Sequence, residues 1–144
     1  MVTIRPMEER DLPSVTALTT QLGYPSTLDV IARRYHAIVA GDGCALSVAE
    51  VDGAVAGWVY VRGVLLLEDD ARAEVWGLVV DEQHRRQGIG EALMHAAEHW
   101  AGVAGYREVR LRSNVTRADA HAFYRRIGYT TTKTSHIFWK ALAS

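Results

Sequence analysis

Two arginines and two glycines stand close together in the stretch DEQHRRQGIG, and their spacing could bind an anion. Gly88 and Gly90 have no β-carbons, so the backbone N–H groups around them can turn toward a ligand that approaches the main chain. A strand-like run precedes the stretch and a run with helical spacing follows it. The N–H groups therefore lie at a helix N-terminus, where backbone donors lack partners and the helix dipole is positive. Arg85 and Arg86 add guanidinium groups suited to phosphate oxygens.

The same stretch does not match two familiar phosphate-binding motifs. A P-loop continues from its last glycine with Lys and then Ser or Thr, whereas Gly90 is followed by Glu91 and Ala92. A dinucleotide fingerprint requires a third Gly or Ala three residues after Gly90, where Leu93 stands. Two interpretations remain at this point: another kind of anion site, or a tight strand-to-helix connection with solvated arginines.

Hydrophobic periodicity predicts the elements that position this turn. Strand-like and helix-like segments follow one another in the order β-α-α-β-β-β-α-β-α-β-β, which is typical of a mixed α/β sheet with helices on its faces. Asp52-Gly53 stands between two strand-like runs and predicts a hairpin, because both turn positions need a positive φ. EVWGLVV is predicted as the fourth strand, and YTTTKTS and HIFWKAL as the last two. No linker or repeat interrupts the pattern, so residues 1–144 are expected to form a single domain.

The composition argues against several classes of protein. The sequence has 144 residues, with 16 Lys and Arg against 17 Asp and Glu, so no net field favours nucleic acid or an anionic membrane. Cys44 is the one cysteine, which excludes an internal disulfide and fits a reducing compartment. The sequence shows no signal-peptide pattern and no apolar run that approaches the ~18 residues of a membrane span. We expect a cytoplasmic protein without nucleic-acid or membrane partners.

Two motifs together resemble a known family. Arg85-x-x-Gly88-x-Gly90, between EVWGLVV and an amphipathic helix, is similar to the pyrophosphate-binding signature of the GNAT superfamily of acetyl-CoA-dependent N-acetyltransferases. NVTRADAHAFYRRIGY, residues 114–129, is similar to the family's pattern of Asn, Ala, Phe-Tyr and Gly-aromatic. The resemblance covers essentially the whole chain and is nearest, through EVWGLVV and TRADAHAFY, to aminoalkylphosphonate and other small-amine N-acetyltransferases. It implies the acyl-CoA N-acyltransferase fold, with acetyl-CoA as co-substrate and no metal.

The resemblance also implies where coenzyme A binds. Its pyrophosphate is expected on the N–H groups from Arg86 to Gly90, and its pantetheine arm beside the fourth strand, where a β-bulge separates the fourth and fifth strands. An N–H near Val79 would bond the acetyl carbonyl. Asn114 is expected to bond the cofactor arm or to serve as a turn or N-cap residue, and Arg117 to meet a phosphate or to be solvated. The expected cofactor-binding residues are Leu78, Val79, Val80, Arg85, Arg86, Gln87, Gly88, Ile89, Gly90, Asn114 and Arg117.

Acetyl transfer to an amine requires two proton movements, and one residue is a candidate for each. An alkylammonium, with a pKa of ~10.4 like lysine, must lose a proton, and a leaving thiolate, with a pKa of ~8.5, must gain one. Glu74 is the candidate base, because period-two alternation places it on the face of Trp76, Leu78 and Val80. The alternative interpretation of Glu74 is a solvated charge at the strand end. Tyr124, at the Phe-Tyr position, is the candidate acid, and its alternative is a half-buried packing residue.

The expected function is transfer of the acetyl group of acetyl-CoA to a primary amine of a small molecule, by direct attack in a ternary complex. Two alternatives stay open: acetylation of a protein N-terminus or lysine, and a non-catalytic acyl-CoA sensor. The apolar terminal segment HIFWKAL favours a homodimer. His84, beside the glycine turn, and His121, one helical turn before Tyr124, have no assigned role.

Overall fold

The computed structural model describes residues 1–113 and 115–143. The chain forms two compact units, Met1–Arg112 and Ser113–Ser144. No helix within the described ranges is both long and apolar enough to cross a bilayer.

The first unit is built on one mixed sheet. As far as the chain is described, its five strands are β1 (Val2–Pro6), β2 (Cys44–Val51), β3 (Ala54–Val64), β4 (Arg72–Val80) and β5 (Val109–Leu111), which lie side by side in that order. Neighbouring strands are antiparallel, except that β4 and β5 are parallel. Asp52 and Gly53 form the turn from β2 to β3 with φ angles of 50° and 80°, which confirms the predicted hairpin.

Three helices complete the first unit, α1 (Leu12–Leu22), α2 (Leu28–Val39) and α3 (Ile89–Val103), and α4 (Ala118–Arg126) lies in the second. Helix α1 ends at Gly23, whose φ of 109° is the left-handed conformation typical of a helix C-terminus. Helix α2 follows Thr27, whose hydroxyl accepts a hydrogen bond from the N–H of Val30 at 3.3 Å.

The two faces of the sheet are covered by different helices. Helix α3 covers one face, where Ile89 and Leu93 are fully buried beside Gly57 of β3. Helices α1 and α2 cover the other face in a cluster made of Met7, Leu12, Val15, Ile31 and Val48. Full burial of a side chain of this kind contributes roughly 1.5–3 kcal/mol. The mixed α/β class is therefore confirmed, as is the element order through α4.

The last two predicted strands are absent. YTTTKTS and HIFWKAL have high β-propensity, yet residues 129–143 contain no regular secondary structure. A strand persists only when its backbone pairs with a neighbouring strand, and residues 129–143 take part in no such pairing. Ile137, Phe138 and Trp139 are consequently exposed, by 87%, 93% and 85%.

Candidate functional site

The glycine turn joins β4 to α3, as the sequence predicts. Helix α3 begins at Ile89, with Gly88 as its N-cap at a φ of 78°. Arg86 also has a positive φ, 66°, a conformation that residues with a β-carbon rarely adopt. Because a glycine N-cap has no side-chain acceptor, the first N–H groups of α3 stay available to a ligand at the positive end of the helix dipole. Arg85, Arg86 and Gln87 are exposed around them, and this donor set fits a phosphate or pyrophosphate.

Asp81 and Gln21 hold the start of this turn against α1. Asp81 Oδ1 accepts hydrogen bonds from the N–H of Gln83 and from the Gln21 amide, both at 3.3 Å, and Gln21 Oε1 accepts one from the N–H of Glu82 at 3.0 Å. The hydrogen bond from Gln83 has the largest effect in lowering the pKa of Asp81, with help from Gln21 and His84. Nδ1 of His84 lies 3.2 Å from Asp81 Oδ2, so His84 is part of this support.

Strand β4 carries a β-bulge at Trp76. In the pairing with β3, Val75 and Gly77 face two consecutive residues, so Trp76 is one extra residue in β4. Strand β5 pairs with β4 only before the bulge, and its last residue, Leu111, faces Val75. Within residues 1–113 and 115–143, β4 has no strand partner on this edge after Val75. The bulge and the opening between β4 and β5 that the resemblance implies are both present.

One hydrogen bond determines which backbone groups of β4 face the opening. The N–H of Asp81 donates to the carbonyl of Ala56 on the β3 side at 2.8 Å. Successive residues of an antiparallel strand direct their N–H groups alternately to the two sides. Val79 therefore directs its N–H toward β3, whereas Leu78 and Val80 direct theirs toward the opposite edge, where β5 does not pair with β4. Among the three residues predicted here, Leu78 and Val80 place backbone donors at the opening.

The bulge also changes which side chains share a face of β4. Simple alternation places Glu74 on the face of Trp76, Leu78 and Val80. The prediction holds for Trp76, which donates a hydrogen bond to Glu74, and is wrong for Leu78 and Val80. Leu78 and Val80 lie on the face covered by α3, whereas Glu74 pairs with Arg62 on the opposite face. An extra residue reverses the period-two pattern, so positions before and after Trp76 no longer correspond.

Glu74 is buried, with 5% of its surface exposed, and it accepts three hydrogen bonds. Arg72 Nε donates at 2.9 Å, Trp76 Nε1 at 3.0 Å and Arg112 Nη1 at 3.5 Å. Burial by itself raises the pKa of Glu74, but the hydrogen bonds from Trp76 and Arg72 and the charges of Arg112 and Arg72 together outweigh it and hold the pKa below its usual value. Glu74 is thus a fixed negative charge at neutral pH rather than a solvated strand end.

Glu74 belongs to a larger group of side chains that we call the arginine–aromatic cluster: Tyr60, Arg62, Arg72, Glu74, Trp76 and Arg112. Arg62 Nη1 donates to the Tyr60 hydroxyl at 2.8 Å, and the Arg62 guanidinium carbon lies 5.0 Å from the centre of the Trp76 ring. The Tyr60 and Trp76 rings meet edge to face at 6.0 Å. Sequence analysis missed Tyr60, Arg62 and Arg112. The alternation along β3 indicates that Tyr60 and Arg62 share a face, but nothing local links them to Arg112.

The second unit contains Tyr124, on α4. Its ring packs edge to face against Phe123 at 5.1 Å and Tyr129 at 6.1 Å. Burial raises the pKa of Tyr124, against a smaller lowering effect of Arg117, so the phenol is protonated at neutral pH. Arg117 is exposed at the start of α4, while Asn114 lies outside the described residues. The roles assigned to Tyr124, Arg117 and Asn114 stay predictions.

Comparison with known proteins identifies relatives over most of the chain. The model of the acetyltransferase (GNAT) family matches residues 12–129. Aminoglycoside N(6')-acetyltransferase type 1 of Stenotrophomonas maltophilia is 26% identical over 143 residues, covering 92% of each chain. Aminoalkylphosphonate N-acetyltransferase of Salmonella typhimurium is 46% identical over 70 residues, covering 48% of this chain and 44% of that protein.

Several relatives match over only part of their length. Human N-acetyltransferase 8 is 36% identical over 92 residues, which cover 61% of this chain but 39% of the human protein. Among solved structures, the fold agrees with that of the aminoglycoside N-acetyltransferase AAC(6')-Iy in complex with CoA, at a TM-score of 0.87 and 20% identity over 97% of this chain and 95% of that one. Because the family model matches residues 12–129, which are most of this chain, the chain belongs to the GNAT family of acetyltransferases.

Proposed function

We propose that the chain is an acetyl-CoA-dependent N-acetyltransferase that acts on a primary amine of a small molecule. The observation that carries the proposal is the opening of the sheet after Val75, where the bulge of β4 and the end of β5 coincide. The same strand leads into the glycine turn. An extended ligand could therefore lie along the open edge of β4, with its anionic group at the turn that follows. The names of two relatives, for aminoglycosides and aminoalkylphosphonates, support a small amine as the acceptor.

Bound acetyl-CoA would supply an acetyl group already activated as a thioester. The N–H groups from Arg86 to Gly90, with Arg85 beside them, would hold its pyrophosphate at the start of α3. The N–H groups of Leu78 and Val80 would face its pantetheine arm. One of them would donate a hydrogen bond to the acyl oxygen and stabilise the negative charge that develops there as the amine attacks.

Glu74 would act on the amine through its charge and through water. An alkylammonium has a pKa of ~10.4 and an ordinary Glu ~4.3, so direct proton transfer is uphill by about 6 pKa units, or roughly 8 kcal/mol. The lowered pKa of Glu74 makes the transfer harder still. We therefore assign Glu74 to holding the ammonium and an adjacent water, through which the proton leaves to solvent.

Tyr124 would return a proton to the departing sulfur. Its pKa, raised by burial, keeps the phenol protonated at neutral pH and able to donate. A thiol has a pKa of ~8.5, below that of a phenol, so the donation is coupled to the breaking of the carbon–sulfur bond rather than preceding it. Arg117, exposed at the start of α4, is proposed to meet a cofactor phosphate.

The test is release of free thiol from acetyl-CoA in the presence of a panel of small amines. Gly90→Glu places a negative charge at the pyrophosphate position and should raise the KM for acetyl-CoA at least tenfold. The matched control is Gly102→Glu, at the exposed far end of α3, which should leave that KM within twofold. A Glu near a helix N-terminus interacts favourably with the helix dipole, and circular dichroism of both variants checks that α3 is intact. Tyr124→Phe should lower kcat more than it changes the KM.

Three outcomes would contradict parts of this proposal. Tight acetyl-CoA binding with no thiol release from any amine would identify a sensor rather than an enzyme. Turnover only with protein N-termini or lysine side chains would replace the small-molecule acceptor with a protein. An unchanged KM for acetyl-CoA in Gly90→Glu would show that the pyrophosphate does not bind at the glycine turn.

A further inference from the structure

Arg62 faces the carboxylate of Glu74 across two strands, but within the described residues it forms no ion pair with it. In the pairing of β3 with β4 it stands directly opposite Glu74, where cross-strand side chains of opposite charge commonly pair. Arg72, Trp76 and Arg112 occupy that carboxylate instead. Within the described residues, no carboxylate lies within 4.0 Å of the Arg62 guanidinium. Its positive charge is therefore not neutralised by an ion pair.

The Arg62 guanidinium is nevertheless held in one place. It stacks on the Trp76 ring at 5.0 Å and donates to the Tyr60 hydroxyl at 2.8 Å. A guanidinium has five N–H donors, so these two contacts do not occupy the whole group. A planar cation fixed on an aromatic ring loses little conformational entropy when it binds an anion. Arg62 is thus preorganised as an anion-binding group.

Arg112 places a second cation at the same end of the site. Its side chain is 71% exposed, and its ion pair with Glu74 is long, at 3.5 Å. It directly follows β5, at the opening beside the bulge where acetyl transfer is proposed. Arg72, in contrast, is compensated by Glu74 at 2.9 Å and by Asp69 at 3.8 Å. Among the described residues of the arginine–aromatic cluster, Arg62 and Arg112 are the guanidinium groups that remain available to an anion.

On the basis of the proposed function, we infer that the acceptor is an amine that also carries an anionic group, a carboxylate or a phosphonate. The amino group would lie near Glu74, and the anionic group would bind between Arg62 and Arg112. Asp69 of the acidic loop of residues 68–70 is shared by Arg72 and Arg110. A polycationic acceptor such as an aminoglycoside would meet like charge in the cluster.

The test measures kcat/KM for four amines of similar length: 3-aminopropylphosphonate, 4-aminobutyrate, butylamine and 1,4-diaminobutane. We expect kcat/KM for the two amines that carry an anionic group to exceed that for butylamine at least tenfold, and the diamine to be the poorest acceptor. The ratio between phosphonate and carboxylate then identifies the anion. The preference should fall as salt is raised, because it depends on charge.

Two variants test the residues that carry the inference. Arg62→Met and Arg112→Met should each lower the anionic-to-neutral selectivity at least tenfold, with the KM for acetyl-CoA within twofold of the original. Arg107→Met, a change at an exposed arginine outside the cluster, is the control and should leave the selectivity as it is. Because Arg112 is largely exposed, its variant remains informative if Arg62→Met does not fold.

The outcomes separate this inference from the proposed function. Turnover that favours neutral or cationic amines, or selectivity unchanged in the folded Arg62 and Arg112 variants, would overturn the anionic acceptor and leave the acetyltransferase proposal intact. Absence of turnover with every amine would contradict the proposed function. In that case calorimetric titration of 3-aminopropylphosphonate, with binding lost in Arg112→Met, would still support the anion site, and binding unchanged in that variant would reject it.

Discussion

Replacing Gly77 with alanine is expected to destabilise the first unit, because this glycine lets the β4 bulge pack against the core. A Cβ added at Gly77 would lie 2.5 Å from Cζ3 and 2.6 Å from Cη2 of Trp58. Carbon atoms in contact are ordinarily about 3.5–4.0 Å apart, so the indole ring must move by roughly 1 Å. Trp58 packs against the core cluster that contains Val48 and Leu12, which restricts that movement.

The expected loss follows from this overpacking. Insertion of a methyl group into a well-packed core costs about 1–3 kcal/mol. In a domain of this size each kcal/mol lowers the Tm by about 3–4 °C, so Gly77→Ala should melt about 3–12 °C below the original protein. Gly102→Ala is the control, since an added Cβ at Gly102 has no neighbour within 4 Å and alanine is the better helix former.

Thermal unfolding followed by far-ultraviolet circular dichroism measures the difference. The control should melt at the original temperature or slightly above it. A Gly77→Ala protein that melts with or above the control would refute the argument that the bulge needs a residue without a β-carbon at this position. Acetylation rates measured on the same proteins at 25 °C would report whether the backbone donors of β4 have moved.

Two further predictions concern acid stability and assembly. Arg5 donates two hydrogen bonds of 2.8 Å to the buried Asp11, and they are the main cause of its lowered pKa. Because the folded-state pKa lies below the unfolded-state value of about 3.9, this stabilisation is present at neutral pH and is lost as the pH falls through the folded-state pKa. Asp11→Ala should therefore cost about 3 kcal/mol at pH 7 and reduce the acid dependence of urea unfolding. The exposed segment 136–142 is proposed to pair two copies of the chain, so light scattering should give twice the 15.9 kDa chain mass. Trp139→Ser should weaken the dimer, and a monomer at every concentration would contradict the pairing.

Features that depend on neighbouring residues could be predicted from the sequence. The Asp52-Gly53 hairpin follows from the positive φ that both positions adopt, and the start of α3 follows from Gly88 and the helical spacing after it. The exposed N–H donors of the glycine turn were predictable for the same reason. They are backbone groups whose direction is set within a few residues.

Features that depend on strand pairing emerge only in the folded chain. The bulge at Trp76 places Glu74 on the face opposite Leu78 and Val80, and alternation cannot predict an extra residue that is defined by the partner strand. The contact from Arg112 to Glu74 joins residues 38 positions apart. YTTTKTS and HIFWKAL have high β-propensity but form no strands, because propensity alone does not supply a pairing partner. Local sequence sets backbone preference, but a sheet edge and the side chains gathered on it are properties of the assembled fold.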